Sequence, residues 1–356
     1  MGFSIYEIEE LKMNITKEDI YKRIEVLNFT LWENRAFKTH IEAWLRNFKN
    51  ETDQNYALYM LSRMMYFSAD NIRNLLRTLY RDKIRYPLIR DIRKRNGNTL
   101  DPEVLEPEFF EELKNTRFLG VGNPSESGVH LLYYFRQENN IPKDLFVNTD
   151  DLVIYEQNED GEVHAKLRDK FKNVKRFVFI DDLCGSGQQA TSNDSNVRRC
   201  VTNLRSFLPS SNISYLMLFG LKDGVEYVRN FIDPTIGIPL YDHVDAVIEL
   251  DESYMCFSEK SRFFTNIDNY DKIVAKDIAY KYGYPLSFHL AVKQGLVSPY
   301  LECVAKHRAL GFGNNQLLIS MHHNTPDNTL PIIWFDEDKS MWTPIFRRYN
   351  KNYTEI

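Results

Sequence analysis

The chain has 356 residues, a net charge of −5 and 43 % hydrophobic residues, a length that fills one large domain or two. The charge balance excludes a uniformly basic nucleic-acid coat, and 21 Tyr with 23 Phe exclude extended disorder. No apolar run reaches the roughly 18 residues of a spanning helix. Met1 to Glu7 lacks a basic-then-apolar leader pattern, and Cys184, Cys200, Cys256 and Cys303 show no CxxC spacing. A reduced, cytoplasmic setting without zinc, disulfides or membrane contact is expected.

In chain order, the first hundred or so residues read as helical. Thr16-Lys17-Glu18-Asp19 has the form of a capping box, with Ile15 and Ile20 as a hydrophobic staple. The apolar stretch from Tyr56 to Phe67 predicts a buried helix. Ser68 is placed to cap another that carries Ile72, Leu75, Leu76 and Leu79. Asp101-Pro102 and Pro107 begin new helical turns. The helical region is expected to cover residues 1–115, with an α/β domain over 116–356.

Within that domain strands alternate with helices. Phe118 to Val121 predicts a short strand, followed by a turn-rich loop from Gly122 to Gly128 and a helix from Val129 to about Gln137. Leu152 to Tyr155 reads as a strand and Asn158 to Gly161 as a hairpin tip. Phe177 to Ile180 is wholly apolar, as strands covered on both faces are. Tyr215 to Phe219 and Ala246 to Leu250 read as two more, and a helix is predicted around Val197 to Phe207. The expected fold class is α/β, with a mainly parallel, doubly wound sheet. Gln316 to Ser320, a polar loop from His322 to Thr329, and Pro331 to Trp334 read as a C-terminal strand–loop–strand extension.

The apolar run to Ile180 leads into Asp181-Asp182-Leu183-Cys184-Gly185-Ser186-Gly187-Gln188-Gln189. In open parallel sheets ligands bind outside the carboxyl ends of the strands, where these aspartates are expected. Adjacent carboxylates suit two vicinal hydroxyls, or help hold hydrated Mg²⁺. Cys184 through Gln189 suit a curl of backbone N–H groups around a phosphate, with Gly185 and Gly187 allowing close approach and Ser186 adding a hydroxyl. Diol beside phosphate describes a ribose 5-phosphate. The alternative is that Asp-Asp merely starts a turn at a wet strand end.

This stretch resembles the signature of type I phosphoribosyltransferases that binds 5-phosphoribosyl 1-pyrophosphate (PRPP). The resemblance implies that Asp181 and Asp182 contact the ribose hydroxyls and serve catalysis, and that Ser186 and Gly187 hold the 5-phosphate. Cys184 and Gly185 replace the usual apolar residue and Thr, and Gln188 and Gln189 the usual Gly and Thr, so the phosphate grip is expected to differ. In the same family an early strand–loop–helix holds pyrophosphate. Gly122, Asn123, Ser125, Ser127 and Gly128 stand at that position, although an ordinary β–α turn reads the same way. Glu126 beside a polyanion is awkward unless a metal intervenes. The hairpin at 158–161 lies where the family places a mobile flap.

Over roughly residues 30 to 340 the chain is similar to phosphoribosyltransferase-like proteins of bacterial conflict (antiphage defence) systems. The residues behind this are Met64 to Ser68, Gly120-Val121-Gly122, the PRPP-like loop, Ser258 to Arg262, Gly311-Phe312-Gly313 and His323 to Pro331. The resemblance implies a bacterial effector or accessory enzyme with partner proteins, transferring at ribose C1 with Mg²⁺. The competing expectation is a catalytically altered module that senses a nucleotide and regulates a partner.

Three features remain. His323 and Asn324 are candidate substrate contacts, whereas adjacent histidines on a strand point to opposite faces, so no metal is expected at His322-His323. Arg262 is a candidate phosphate clamp, or else a structural ion pair. From Arg73 to Arg95 there are nine basic residues against Asp82 and Asp91. Nucleic-acid contact through this segment is not favoured, because most basic runs are solvated helix faces.

Overall fold

The computed structural model describes residues 14–122, 127–157, 161–265 and 269–348, with the side chain of Ser127 left out. The chain divides into two compact units, one from Met1–Ala69 with Asp251–Ile356 and one from Asp70–Leu250. The break expected near residue 115 therefore falls inside the second unit, and helices from the basic segment share a unit with the sheet.

The first unit begins with α1 (Lys17–Thr30), opened by the expected capping box: Thr16 accepts from the Asp19 amide and Asp19 accepts from the Thr16 amide. Then come α2 (Lys38–Leu45), α3 (Glu51–Ser62) and β1 (Met65–Phe67). The helix expected through Phe67 thus ends at Ser62, because Met65–Phe67 finds a strand partner near the other end of the chain.

The second unit opens with α4 (Ala69–Thr78), which continues through π-helical turns at Leu79–Arg85 into α5 (Tyr86–Arg95). The widened turns precede Pro87, which has no amide to donate and whose ring crowds the preceding turn. After α6 (Pro102–Lys114), with Asp101 as its cap, β2 (Thr116–Gly120) enters the sheet. Pro107 sits inside α6 rather than starting a separate helix. Next are α7 (Ser127–Glu138), the antiparallel hairpin β3 (Val153–Gln157) and β4 (Val163–Leu167), and β5 (Arg176–Cys184). They are followed by α8 (Gln188–Thr191), α9 (Asn196–Phe207), β6 (Asn212–Leu221), α10 (Lys222–Asn230) and β7 (His243–Leu250).

The sheet has the order β2-β5-β6-β7 and every pairing is parallel. One face carries Phe177, Phe179, Tyr215 and Met217, packed with Val201 and Leu204 of α9 and Val225 and Val228 of α10. On the other, Phe118 meets Phe135 of α7, which in turn meets Tyr80 of the π-turn. Helices cover both faces, so the strands read as continuous apolar runs. The tip of the hairpin at 158–160 lies outside the described residues.

The chain then returns to the first unit with α11 (Lys272–Lys293), α12 (Tyr300–Arg308), β8 (Ile319–Met321) and α13 (Pro331–Trp334). β8 pairs in parallel with β1, Met65 opposite Ile319. Pro331–Trp334, expected as a strand, is one helical turn. Four apolar residues do not distinguish the two, and Pro favours the first helical position. The turn is held by its surroundings: Trp44 and Trp342 both donate their indole N–H to the Ile332 carbonyl, at 2.7 and 3.1 Å. Among the described residues no helix is long and apolar enough to cross a membrane.

Candidate functional site

β5 runs through Cys184, because β6 continues to offer partners in register, Met217 to Asp181 and Phe219 to Leu183. Asp181 and Asp182 therefore lie in the carboxyl half of the strand rather than beyond its end. The two carboxyls stay within reach of one another, the Asp182 side chain hydrogen-bonding that of Asp181.

Asp181 shares its face with Phe177 and Phe179 and is 2 % exposed. It accepts from the Tyr215 hydroxyl at 2.7 Å and from the Asp182 amide at 2.9 Å. Burial, together with the neighbouring Asp182 carboxylate, holds its pKa well above the usual carboxylate range, against the pull of the Tyr215 hydroxyl. Tyr215 packs against Tyr241, whose hydroxyl donates to the Ala190 carbonyl at 3.0 Å. Burial chiefly, then the Asp181 carboxylate, pushes the Cys184 thiol up to about 12. A buried polar layer thus underlies the loop. Asp182 is 9 % exposed and accepts from the Leu183 amide at 2.8 Å.

Beyond Cys184 the loop is seated by glycines. Gly187 is left-handed, with φ 78°, and a Cβ there would meet Val228 at 2.5 Å. Gly224, in the first turn of α10, approaches the Gly185 carbonyl so closely that a Cβ would stand 1.8 Å from it. This packing leaves Ser186, Gln188 and Gln189 exposed. The Ser186 hydroxyl accepts from the Gln188 amide at 3.4 Å. Farther on, Arg198 clamps the end of α8, donating to the Thr191 carbonyl at 3.1 Å and to buried Asp233 at 2.6 Å.

The adjacent strand, β2, carries the second candidate loop. Val121 donates to the Ile180 carbonyl at 3.0 Å, so the two loops leave neighbouring parallel strands at the same edge. A Cβ on Gly128 would stand 2.4 Å from the Val121 carbonyl, and Gly122 has φ 99°. Asn123, Ser125 and Glu126 lie outside the described residues. Ser127 begins α7.

Arg262, His323 and Asn324 belong to the other unit. Arg262 stacks on Tyr254 at 3.6 Å and donates to the Ser253 hydroxyl at 2.6 Å. The His323 ring meets His322 edge-on at 5.2 Å, and Asn324 lines a cavity of the first unit. In the basic segment Arg77 pairs with Glu138 at 2.6 Å, Lys83 with Asp245 at 2.7 Å and Arg95 with Glu112 at 2.9 Å. Much of that positive charge is thereby answered within the unit. Sequence reasoning missed Tyr215, Tyr241, the Arg198–Asp233 pair and Gly224. Only Gly224 left a signal, a glycine three residues past the apolar strand that ends at Leu221.

A parallel sheet with helices on both faces and glycine-seated loops at one edge defines a mixed α/β protein of phosphoribosyltransferase type. The chain matches the model of the PRTase-CE family over residues 41–348, and it belongs to that family. It is similar to the xanthine-guanine-hypoxanthine phosphoribosyltransferase of Helicobacter pylori, at 10 % identity over 52 % of this chain and 84 % of that one, TM-score 0.24. It is also similar to the adenine phosphoribosyl transferase of Trypanosoma brucei in complex with AMP, pyrophosphate and ribose-5-phosphate, at 20 % identity over 51 % and 80 %, TM-score 0.24. No curated protein matches the chain.

Proposed function

We propose that the loop from Cys184 to Gln189 receives the ribose 5-phosphate end of PRPP or of a related nucleotide. The support is its seat. Gly187 and Gly224 press the loop onto α10, and exposed Ser186, Gln188 and Gln189 stand past a parallel strand that carries Asp182. In this reading Asp182 meets the ribose hydroxyls and balances positive charge developing at C1, as electrostatic catalysis of such a transfer requires. Asp181, enclosed with Tyr215, is a positioning residue. The Gly122–Gly128 loop on the adjacent strand is the pyrophosphate side.

Mg²⁺ belongs to this reading as a companion of the ligand, as the resemblance to phosphoribosyltransferases implies. Among the described residues no three His, Cys, Asp or Glu side chains cluster, and Mg²⁺ accepts one carboxylate together with phosphate oxygens and waters. Asp182 would supply the carboxylate, and the bound ion would help neutralise pyrophosphate as it leaves.

The test is calorimetry with PRPP and Mg²⁺. Asp182→Asn keeps size and removes charge, and should weaken binding by about 1.5–3 kcal/mol, roughly 10- to 150-fold, with an unchanged melting curve. Equal affinity in the folded variant would remove the ribose-phosphate reading. A second reading, a sensing module without turnover, is favoured by the enclosure of Asp181, which keeps that carboxyl away from a ligand. PRPP binding without pyrophosphate release, across a panel of bases and nucleotides, would select it. The likeness to bacterial conflict proteins extends the proposal to an effector or accessory role in antiphage defence with partner proteins in the cytoplasm. Phage plating on cells carrying the wild type or Asp182→Asn tests that role.

A further inference from the structure

Not all of the basic segment is answered within the second unit. There the π-helical turns and α5 meet α6 at an open cleft of about 800 Å³, whose lining residues all belong to that unit. Tyr80 and Ile89 line it from the side of the π-turns and α5, and Leu100, Leu105, Phe109 and Phe110 from the side of α6. Leu100 is 74 % exposed and Phe110 56 %, so the unit's own core leaves both uncovered. An apolar patch with a polar rim marks an interaction surface.

Five charged side chains share the lining: Arg77, Arg81, Arg85, Glu106 and Glu138. Arg77 is paired with Glu138 at 2.6 Å and Arg81 with Asp82 at 2.6 Å. The other two are left over. Among the described residues the side chains of Arg85 and Glu106 form no hydrogen bond or ion pair, and the Arg85 guanidinium lies only over the Phe109 ring, at 5.8 Å. Both residues are exposed. One free cation and one free carboxylate therefore stand on different elements of the same apolar patch. A bound anion would meet Glu106 as a like charge, and a bound cation would meet Arg85 as one. A second copy turned about a two-fold axis satisfies both, because each Arg85 then faces the partner's Glu106. Aromatic residues with Arg are also what the buried centres of protein interfaces are made of.

We propose that this cleft is the contact surface of a two-fold symmetric homodimer, in which reciprocal Arg85–Glu106 pairs flank an apolar centre of Leu100, Phe109 and Phe110. The exposed Leu100 and Phe110 of each copy enter the other's cleft. None of these residues belongs to the Cys184–Gln189 loop, and the proposal does not rest on the reading of that loop.

Sedimentation velocity on the full-length protein over a concentration series tests this, with a melting curve on each variant. The wild type and Asp182→Asn should dimerise with the same dissociation constant. Arg85→Glu and Glu106→Arg each turn both reciprocal pairs into like charges, and should raise that constant at least ~100-fold. An equimolar mixture of these two single variants should dimerise again, since every pair in the mixed dimer is of opposite sign. Leu100→Ser/Phe110→Ser changes two exposed side chains and should weaken the dimer ~10- to 100-fold. A wild type that stays monomeric at every concentration overturns the proposal, whether the cleft then takes a small molecule or a different protein. So does a dimer of unchanged affinity in folded Arg85→Glu or in folded Leu100→Ser/Phe110→Ser, which would place the contact elsewhere. Failure of the mixed single variants to dimerise would equally overturn it, because Arg85 and Glu106 would then not face each other across the axis.

Discussion

Asp181 shares its face of β5 with Phe177 and Phe179, and its carboxyl meets Tyr215 rather than water. Its raised pKa has a consequence for stability. In the unfolded chain the group titrates near 3.8, whereas the folded chain keeps the proton to higher pH. The folded state therefore binds more protons across that window, so the contribution is fully present below 3.8 and is lost as pH rises through the folded pKa. Asp181→Asn keeps the shape without the titrating proton. Urea midpoints measured over a pH series should fall less steeply with rising pH in Asp181→Asn than in the wild type, and the variant should be the more stable at the upper end. Parallel pH profiles would mean that Asp181 is not the titrating group. Asp53 has the opposite sign. Although burial raises it, hydrogen bonds from Lys281 and Tyr282 bring its pKa below the ordinary value, so its contribution is present above the unfolded pKa and lost on acidification.

At the scale of elements, the site depends on α10, which carries none of the residues singled out from the sequence. Gly224→Ala sets a methyl group against the backbone of Gly185, which cannot rotate away as a side chain would. Stability should fall by roughly 1–3 kcal/mol, and ligand affinity should fall with it because the loop must move. Gly187→Ala meets a Val228 methyl at 2.5 Å, with the Gly224 carbonyl and the Tyr227 ring each at 3.1 Å, and must hold a left-handed φ, which alone costs about 1–2 kcal/mol. A thermal melt and a PRPP titration on each variant check both, and a Gly224→Ala protein with unchanged affinity would refute the coupling. The Arg198–Asp233 pair gives a larger effect. Removing one partner strands a buried charge, so Asp233→Ala should cost about 3–5 kcal/mol by denaturant unfolding. What was legible here follows from periodicity. The apolar runs at 177–180, 215–219 and 246–250 all fall inside sheet strands, because a strand covered on both faces needs little else. The orientation of Asp181 was not legible. It depends on how far β5 continues beside β6, which is a property of the pair and not of either strand.

At the scale of the whole molecule, the two units differ in how the chain supplies them. The second is one continuous stretch, Asp70–Leu250, containing the entire four-stranded sheet and its loops. The first is assembled from two distant stretches. Its two-stranded sheet joins β1 to β8, the Trp44 indole is satisfied by Ile332, and Asp53 is satisfied by Lys281 and Tyr282. No periodicity within residues 14–69 announces partners near residue 320, which is why a boundary drawn from local pattern fell at 115. The arrangement predicts an asymmetry between fragments. Residues 70–250 produced alone should give a cooperative urea transition and the circular dichroism of a mixed α/β protein, since every strand pairing of the sheet is internal to them. Residues 1–69 alone should show none, because β1 has no partner and a buried indole N–H left unpaired costs about 1–3 kcal/mol. Adding residues 251–356 should restore a transition to that fragment. A cooperative unfolding transition in residues 1–69 by themselves, or its absence from 70–250, would show that the two units do not fold along the lines their contacts draw.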